Sequence, residues 1–243
     1  MRKISLFLLI IGILVGVTPI IGQIYNRYRE NKLMDEWLNS IDAQGLEVLD
    51  ETGPEEAYIM LREVFESENQ ETSGTTNEEA PDDPGNTPAE TNSPETAGKP
   101  GKKASKQTVI GIIQIKKIKV KSPIVEGVSD SNLNAGIGHI PGTAMPGEPG
   151  NCALAGHRSY TFGKFFNRLD KLETGDEIII STRKEDLVYE VDKIHMVTPD
   201  DTSVLEGSKD ENAITLITCT PIYVASHRLI VKAGLKERVS REP

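Results

Sequence analysis

The chain has only two cysteines in 243 residues, Cys152 and Cys219, so one disulfide is the most it can hold. A scaffold stapled by several bridges is thereby excluded. No C-x-x-C pair and no closely spaced His pair occurs, so the chain lacks the ligand spacing of a structural zinc site and no metal is expected. No cofactor is expected either. Aromatic residues make up only 5% of the chain, and no basic stripe is interleaved with them, which argues against a nucleic-acid partner. Positive charge is scarce in the N-terminal half. Residues 1–106 carry 10 Lys/Arg against 19 Asp/Glu, whereas residues 107–243 carry 17 against 18, so the net charge of −10 belongs to the first part. There is no Ala before Ala43, hence no A-x-A cleavage site for a signal peptidase.

What the N-terminus does have is an uncharged, largely apolar stretch from Ile4 to Ile21, extendable to Ile24 across Gln23 and preceded by Arg2 and Lys3. About 20 apolar residues suffice to cross a bilayer, so residues 1–24 are expected to form an uncleaved signal-anchor helix. Arg2 and Lys3 favour a cytoplasmic N-terminus, while Arg27, Arg29 and Lys32 on the other flank favour the reverse. No second apolar span brings the chain back.

Composition divides the remainder. Residues 25–66 form a juxtamembrane region with two short apolar stripes: Leu33, Trp37, Leu38 and Ile41, then Ala57, Met60, Leu61, Val64 and Phe65. Two short helices are predicted, the second started by Pro54. Residues 67–106 hold Pro81, Pro84, Pro88, Pro94 and Pro100 among Ser, Thr, Asn, Gly and Glu, with no aromatic residue. Such a segment buries too little apolar surface to order itself and reads as a flexible tether. From residue 107 onward, short Val/Ile/Thr-rich runs alternate with Gly/Pro loops, ending with Ala213–Cys219 and Arg228–Ala233. The pattern predicts a mainly β domain, a closed or partly closed barrel, with one helix over Phe162–Leu172.

Three residues of this domain could work together. Cys219 ends a strand-like run, and a thiolate there needs a nearby cation to raise its reactive fraction. Arg228 begins the next run, so a hairpin would bring its guanidinium to Cys219, where it suits an oxyanion and cannot act as a base. His157 ends the run Cys152–Ala155 and could serve as acid/base. His227 lies closer in sequence, but alternation along a strand points it away from the face of Arg228. His139 and His195 read as structural or surface residues. On the residues alone two readings stand: a catalytic cysteine, or a small buried hydrophobe on a strand.

Thr215-Leu216-Ile217-Thr218-Cys219 resembles the T-L-x-T-C signature of sortases, the membrane-anchored cysteine transpeptidases of Gram-positive bacteria. Gly156-His157-Arg158 is similar to that family's histidine segment, and Arg228 stands where its arginine is expected. The resemblance covers residues 107–237 and leaves 238–243 as a tail. It implies a closed eight-stranded β-barrel with Cys219 as nucleophile, His157 as acid/base and Arg228 on the substrate or oxyanion. Thr218 is implied to assist substrate or oxyanion binding.

The implied reaction cleaves an LPXTG-like sorting signal through a thioacyl enzyme. An amine from a peptidoglycan precursor or a pilin lysine resolves it, with the domain outside the cell membrane. A single N-terminal anchor is more like classes D and A. The text around Thr220-Pro221 and His227–Val231 resembles pilin-polymerising class C, but Asp35-Glu36-Trp37 lacks that class's lid proline. A non-catalytic, peptide-binding barrel is the rival reading.

If His157 reaches Cys219, Cys152 lies about 16 Å back along its strand. A disulfide needs Cα atoms within about 7 Å, so no bridge is expected. Asp200, Asp201 and Glu206 read as a solvated loop rather than a calcium site.

Overall fold

A computed structural model describes residues 28–39, 52–72, 107–158, 165–222 and 224–241. The expected membrane span 1–24 and nearly all of the expected tether lie outside the described residues. Among the described residues no helix is long and apolar enough to cross a membrane.

Eight strands form from residue 109 onward: β1 (Val109–Ile115), β2 (Val120–Glu126), β3 (Ile137–His139), β4 (Gly150–Ala155), β5 (Glu177–Ser181), β6 (Glu185–Val197), β7 (Asn212–Thr220) and β8 (His227–Ser240). They close in the order β1-β2-β3-β4-β7-β8-β6-β5, the mainly β barrel that was expected. The β1–β5 pairing shuts the ring, so these strands leave no open sheet edge. The β2–β3 and β4–β7 pairs are parallel.

Burial shows what covers each wall. Strand β6 alternates over Leu187–Val191, as a wall with one wet face should. Strands β1, β4 and β7 do not alternate, because both of their faces are covered. Inside, Ile113, Ile115, Cys152, Leu154, Ile214 and Leu216 share one core with Phe166 and Leu169. Outside β1 and β2, Trp37 of helix α1 (28–39) packs on Val109, Ile112 and Val125. Outside β4, β7 and β8, helix α2 (Pro54–Thr72) lays Ala57, Tyr58, Leu61 and Phe65 over Ala153, Ala155, Ile217, Cys219 and Ile230.

Helix α2 begins as predicted. Pro54 has no N–H to leave unpaired in the first turn, and Glu55 and Glu56 favour the positive end of the helix dipole. Its docked face differs from the expected stripe. Met60 is 43% exposed, and Tyr58, 2% exposed, takes its place against the barrel. Each fully buried apolar side chain contributes roughly 1.5–3 kcal/mol, so this face holds α2 down. Gly142 makes room for the helix start: with φ +80°, a Cβ there would sit 2.5 Å from Pro54 Cδ.

Three sequence boundaries need correction. The helix expected over 162–172 is absent from its described part, where residues 165–168 form a turn and Leu169–Lys171 a single 3₁₀ turn. Phe165 has φ +45°, which breaks a right-handed helix, yet Phe166, Leu169 and Leu172 still reach the core. Helix α2 continues to Thr72, because no proline interrupts it, and takes in the first residues assigned to the tether. Strand β8 continues to Ser240 and pairs with Glu185, so residues 238–240 belong to the sheet rather than to a tail.

Candidate active site

Parallel pairing of β4 with β7 sets Ala155 opposite Ile217. The chain keeps step beyond the strand. Gly156 N–H donates to Ile217 O at 3.1 Å, and Thr218 Oγ1 donates to Gly156 O at 2.7 Å. His157 is thereby carried towards the level of Cys219. On the other side of β7, Arg228 is paired directly with Cys219 across the antiparallel β7–β8 ladder. The three residues named from sequence thus converge on one end of the barrel wall.

Their side chains share the outward face, beneath α2. Cys219 is 7% exposed, His157 4% and Arg228 2%. The Phe65 ring lies 5.6 Å from the His157 ring, and the Arg228 Cζ sits 5.3 Å from its centroid. Phe65 therefore packs against both His157 and Arg228, and α2 covers this end of the wall. Phe165 adds an edge-on contact to His157 at 6.4 Å. Burial pushes the Tyr58 hydroxyl up to about 12; Arg228 opposes that shift, while Asp201, Cys219 and Asp200 reinforce it. Tyr58 stays protonated at neutral pH.

The Arg228 guanidinium is held by Nη1 donation to Ala225 O at 3.0 Å and His227 O at 3.3 Å. Among the described residues it has no carboxylate within ion-pair distance, so its charge remains available to a developing oxyanion. His227 is exposed and bonded to Ser226 Oγ at 3.0 Å, as alternation requires. Thr218 is fully buried, and its hydroxyl is engaged with Gly156. The hydroxyl thereby holds the His157 segment in place. Gly156 itself has no space for a side chain: a Cβ would lie 2.7 Å from Ile137 Cδ1 and 2.9 Å from Phe166 Cδ2.

A family model described as the Sortase domain matches residues 113–236, which is half of the chain and nearly all of the barrel. The chain belongs to the sortase family. Among curated relatives, Sortase D of Bacillus subtilis is 35% identical over 117 residues, covering 48% of this chain and 57% of that protein. Sortase A of Bacillus anthracis is 34% identical over 131 residues, covering 54% and 61%. The chain thus spans little more than half the length of these relatives. Among solved structures, the Clostridium perfringens Sortase D5 transpeptidase superposes with a TM-score of 0.56 at 29% identity, covering 86% of this chain and 99% of that one. Sortase E1 of Streptomyces coelicolor, solved with a tripeptide in its active site, gives 0.51 at 33% identity, covering 56% and 94%.

Other groups in this sortase barrel lie away from the constellation. Cys152 is free and faces the interior, paired with Ile214, so it is separated from Cys219 by both distance and face. His139 is buried, with Nδ1 2.8 Å from Glu126 Oε2 and Nε2 near Thr143 and Ala144. Asp201 caps the turn Thr202–Leu205 by accepting from Ser203 N–H at 3.0 Å. His195 lies on β6 opposite Ile230, and burial with Lys193 and Lys232 lowers its pKa. The apolar stripe of α2 included Phe65 but not Tyr58, and nothing in it placed either residue beside this site. Nor did the sequence assign a role to Arg158.

Proposed function

We propose that this chain is a membrane-anchored cysteine transpeptidase acting on LPXTG-like sorting signals. The observation that carries the reading is the placement of Cys219 directly opposite Arg228, with His157 brought alongside by the β4–β7 register. Cys219 Sγ, as thiolate, attacks the Thr–Gly carbonyl carbon, and Arg228 stabilises the negative charge that develops on oxygen. The tetrahedral intermediate collapses, the C–N bond breaks, and His157 gives its proton to the departing amine. The product is a thioester between Cys219 and the threonine carbonyl. An incoming amine attacks that thioester, gives up its proton to His157 and releases Cys219 as thiolate, which restores the starting state. Thr218 contributes through its grip on Gly156.

Residues 1–24 anchor the chain in the cell membrane, with the N-terminus in the cytoplasm and the barrel outside. The structural match to the Clostridium perfringens Sortase D5 extends beyond what the barrel alone supplies, which supports a class D-like enzyme; its acceptor is a peptidoglycan amine. A pilin lysine is the alternative acceptor, favoured by the 39% identity to a pilus-related Sortase C of Group B Streptococcus.

Full-length protein in detergent micelles should cleave an LPXTG peptide, and hydroxylamine should accelerate turnover by resolving the thioester. Cys219→Ala should abolish cleavage, while Cys152→Ala keeps most of it. Undiminished cleavage by the Cys219 variant would sink the mechanism. A panel of amines, read by mass spectrometry, distinguishes the two acceptors.

A further inference from the structure

Arg158 follows His157 and is half-buried, with its side chain only 8% exposed. Its Nη1 donates to Thr220 Oγ1 at 2.7 Å and to Cys219 O at 3.3 Å. Its Nη2 lies 3.0 Å from Asp170 Oδ1. One guanidinium therefore joins three segments: the turn after β4, the end of β7 and the 3₁₀ turn Leu169–Lys171.

Burying a guanidinium costs several kcal/mol of lost hydration, and an apolar residue of similar volume would fill the space at less cost. Stability alone is a weak reason for Arg158 to be there. Its surroundings also differ from those of Arg228. Asp170 neutralises Arg158; the Asp170 carboxyl is held below its usual range because Lys171 and Arg158 outweigh the opposing effect of burial. Arg228, with no carboxylate beside it among the described residues, keeps its charge for substrate. Arg158 keeps its charge, balanced by Asp170, and serves through its geometry. A planar fork reaches two acceptors and a carboxylate at once, which an ammonium cannot do with the same directionality.

We propose that Arg158 is a positioning residue of this site: it ties Cys219 and Thr220 to the residue after His157, fixing nucleophile and acid/base relative to each other. The proposal rests on the transpeptidase reading. It assigns a role to the third residue of Gly156-His157-Arg158, and it explains why Thr220 and Asp170 surround it.

The test uses full-length protein in micelles carrying Arg158→Met, Arg158→Lys, Thr220→Val and the Arg158→Met/Thr220→Val pair. The readouts are kcat and KM on an LPXTG peptide, the pH midpoint of Cys219 alkylation by iodoacetamide, and the melting temperature. Arg158→Met should lower kcat about 10- to 100-fold with KM within about 3-fold, the pattern of a misplaced catalytic pair. Its alkylation midpoint should differ from that of the wild type, because the cationic surroundings of Cys219 are rearranged. Arg158→Lys should recover only part of the rate.

Thr220→Val removes one acceptor from a chain that remains folded. It should lower kcat in the same direction and add little on top of Arg158→Met. A folded Arg158→Met protein with kcat and alkylation midpoint both unchanged would overturn the proposal, as would full additivity of the pair. Should Arg158→Met not fold, Thr220→Val decides by the same readouts. If the wild type turns over no sorting peptide, the transpeptidase reading fails, and the alkylation midpoint alone decides whether Arg158 holds the site.

Discussion

His139 carries a proton that the barrel needs. Burial opposes its charged form, but hydrogen bonds to Cys152 and Glu126 outweigh that and hold its pKa up at about 10. A pKa raised on folding stabilises the native state fully below the unfolded value of about 6.5. That contribution declines as pH rises between there and about 10, and is gone above. Glu126→Gln removes the carboxylate and should cost about 3 kcal/mol in urea unfolding at about pH 6. The gap to wild type should close towards pH 10. A gap constant across that range would show that His139 is not the titrating group. Individual residues differed in how legible they were. Cys219, His157 and Arg228 each flank a β-like run, and strand alternation separates Arg228 from His227. Arg158 gives no such sign, because its partners Cys219 and Thr220 lie 61 and 62 positions away. A contact of that separation exists only once β4 and β7 have paired.

Among the elements, α2 has the greatest consequence for chemistry. Its apolar stripe was visible in the sequence, but what the stripe covers was not, since residues 73–106 separate it from the barrel. Phe65→Ala deletes the ring packed against His157 and Arg228 and should weaken docking by more than the roughly 1.4 kcal/mol that makes a tenfold change in opening. Iodoacetamide should then alkylate Cys219 at least about tenfold faster in full-length protein. Ile59→Ala, on the exposed side of the same helix, should leave the rate within about twofold, as surface substitutions do. Equal rates in the two variants would mean that α2 does not limit access. The strands were readable because β-branched runs between Gly/Pro loops admit few other conformations. Residues 165–172 were misread for a local reason. Their apolar spacing fits a helix, but the positive φ of Phe165 turns the chain after one residue, and the side chains reach the core from a turn.

At the scale of the whole molecule, the barrel brings together residues from two distant parts of the chain, and an N-terminal helix closes over them. The family, the barrel and its three candidate catalytic residues were all within reach of the sequence. The cover was not, because packing between segments joined by a long polar stretch leaves no periodic trace. The account stands or falls on a covalent bond at one sulfur. Full-length protein mixed with an LPXTG peptide, without an amine acceptor, and analysed by intact-mass spectrometry should gain the mass of the peptide fragment ending in threonine. The adduct should map to Cys219, disappear with hydroxylamine, persist in Cys152→Ala and be absent from Cys219→Ala. An adduct that survives in Cys219→Ala, or no adduct under conditions where the peptide is cleaved, would contradict the thioacyl mechanism.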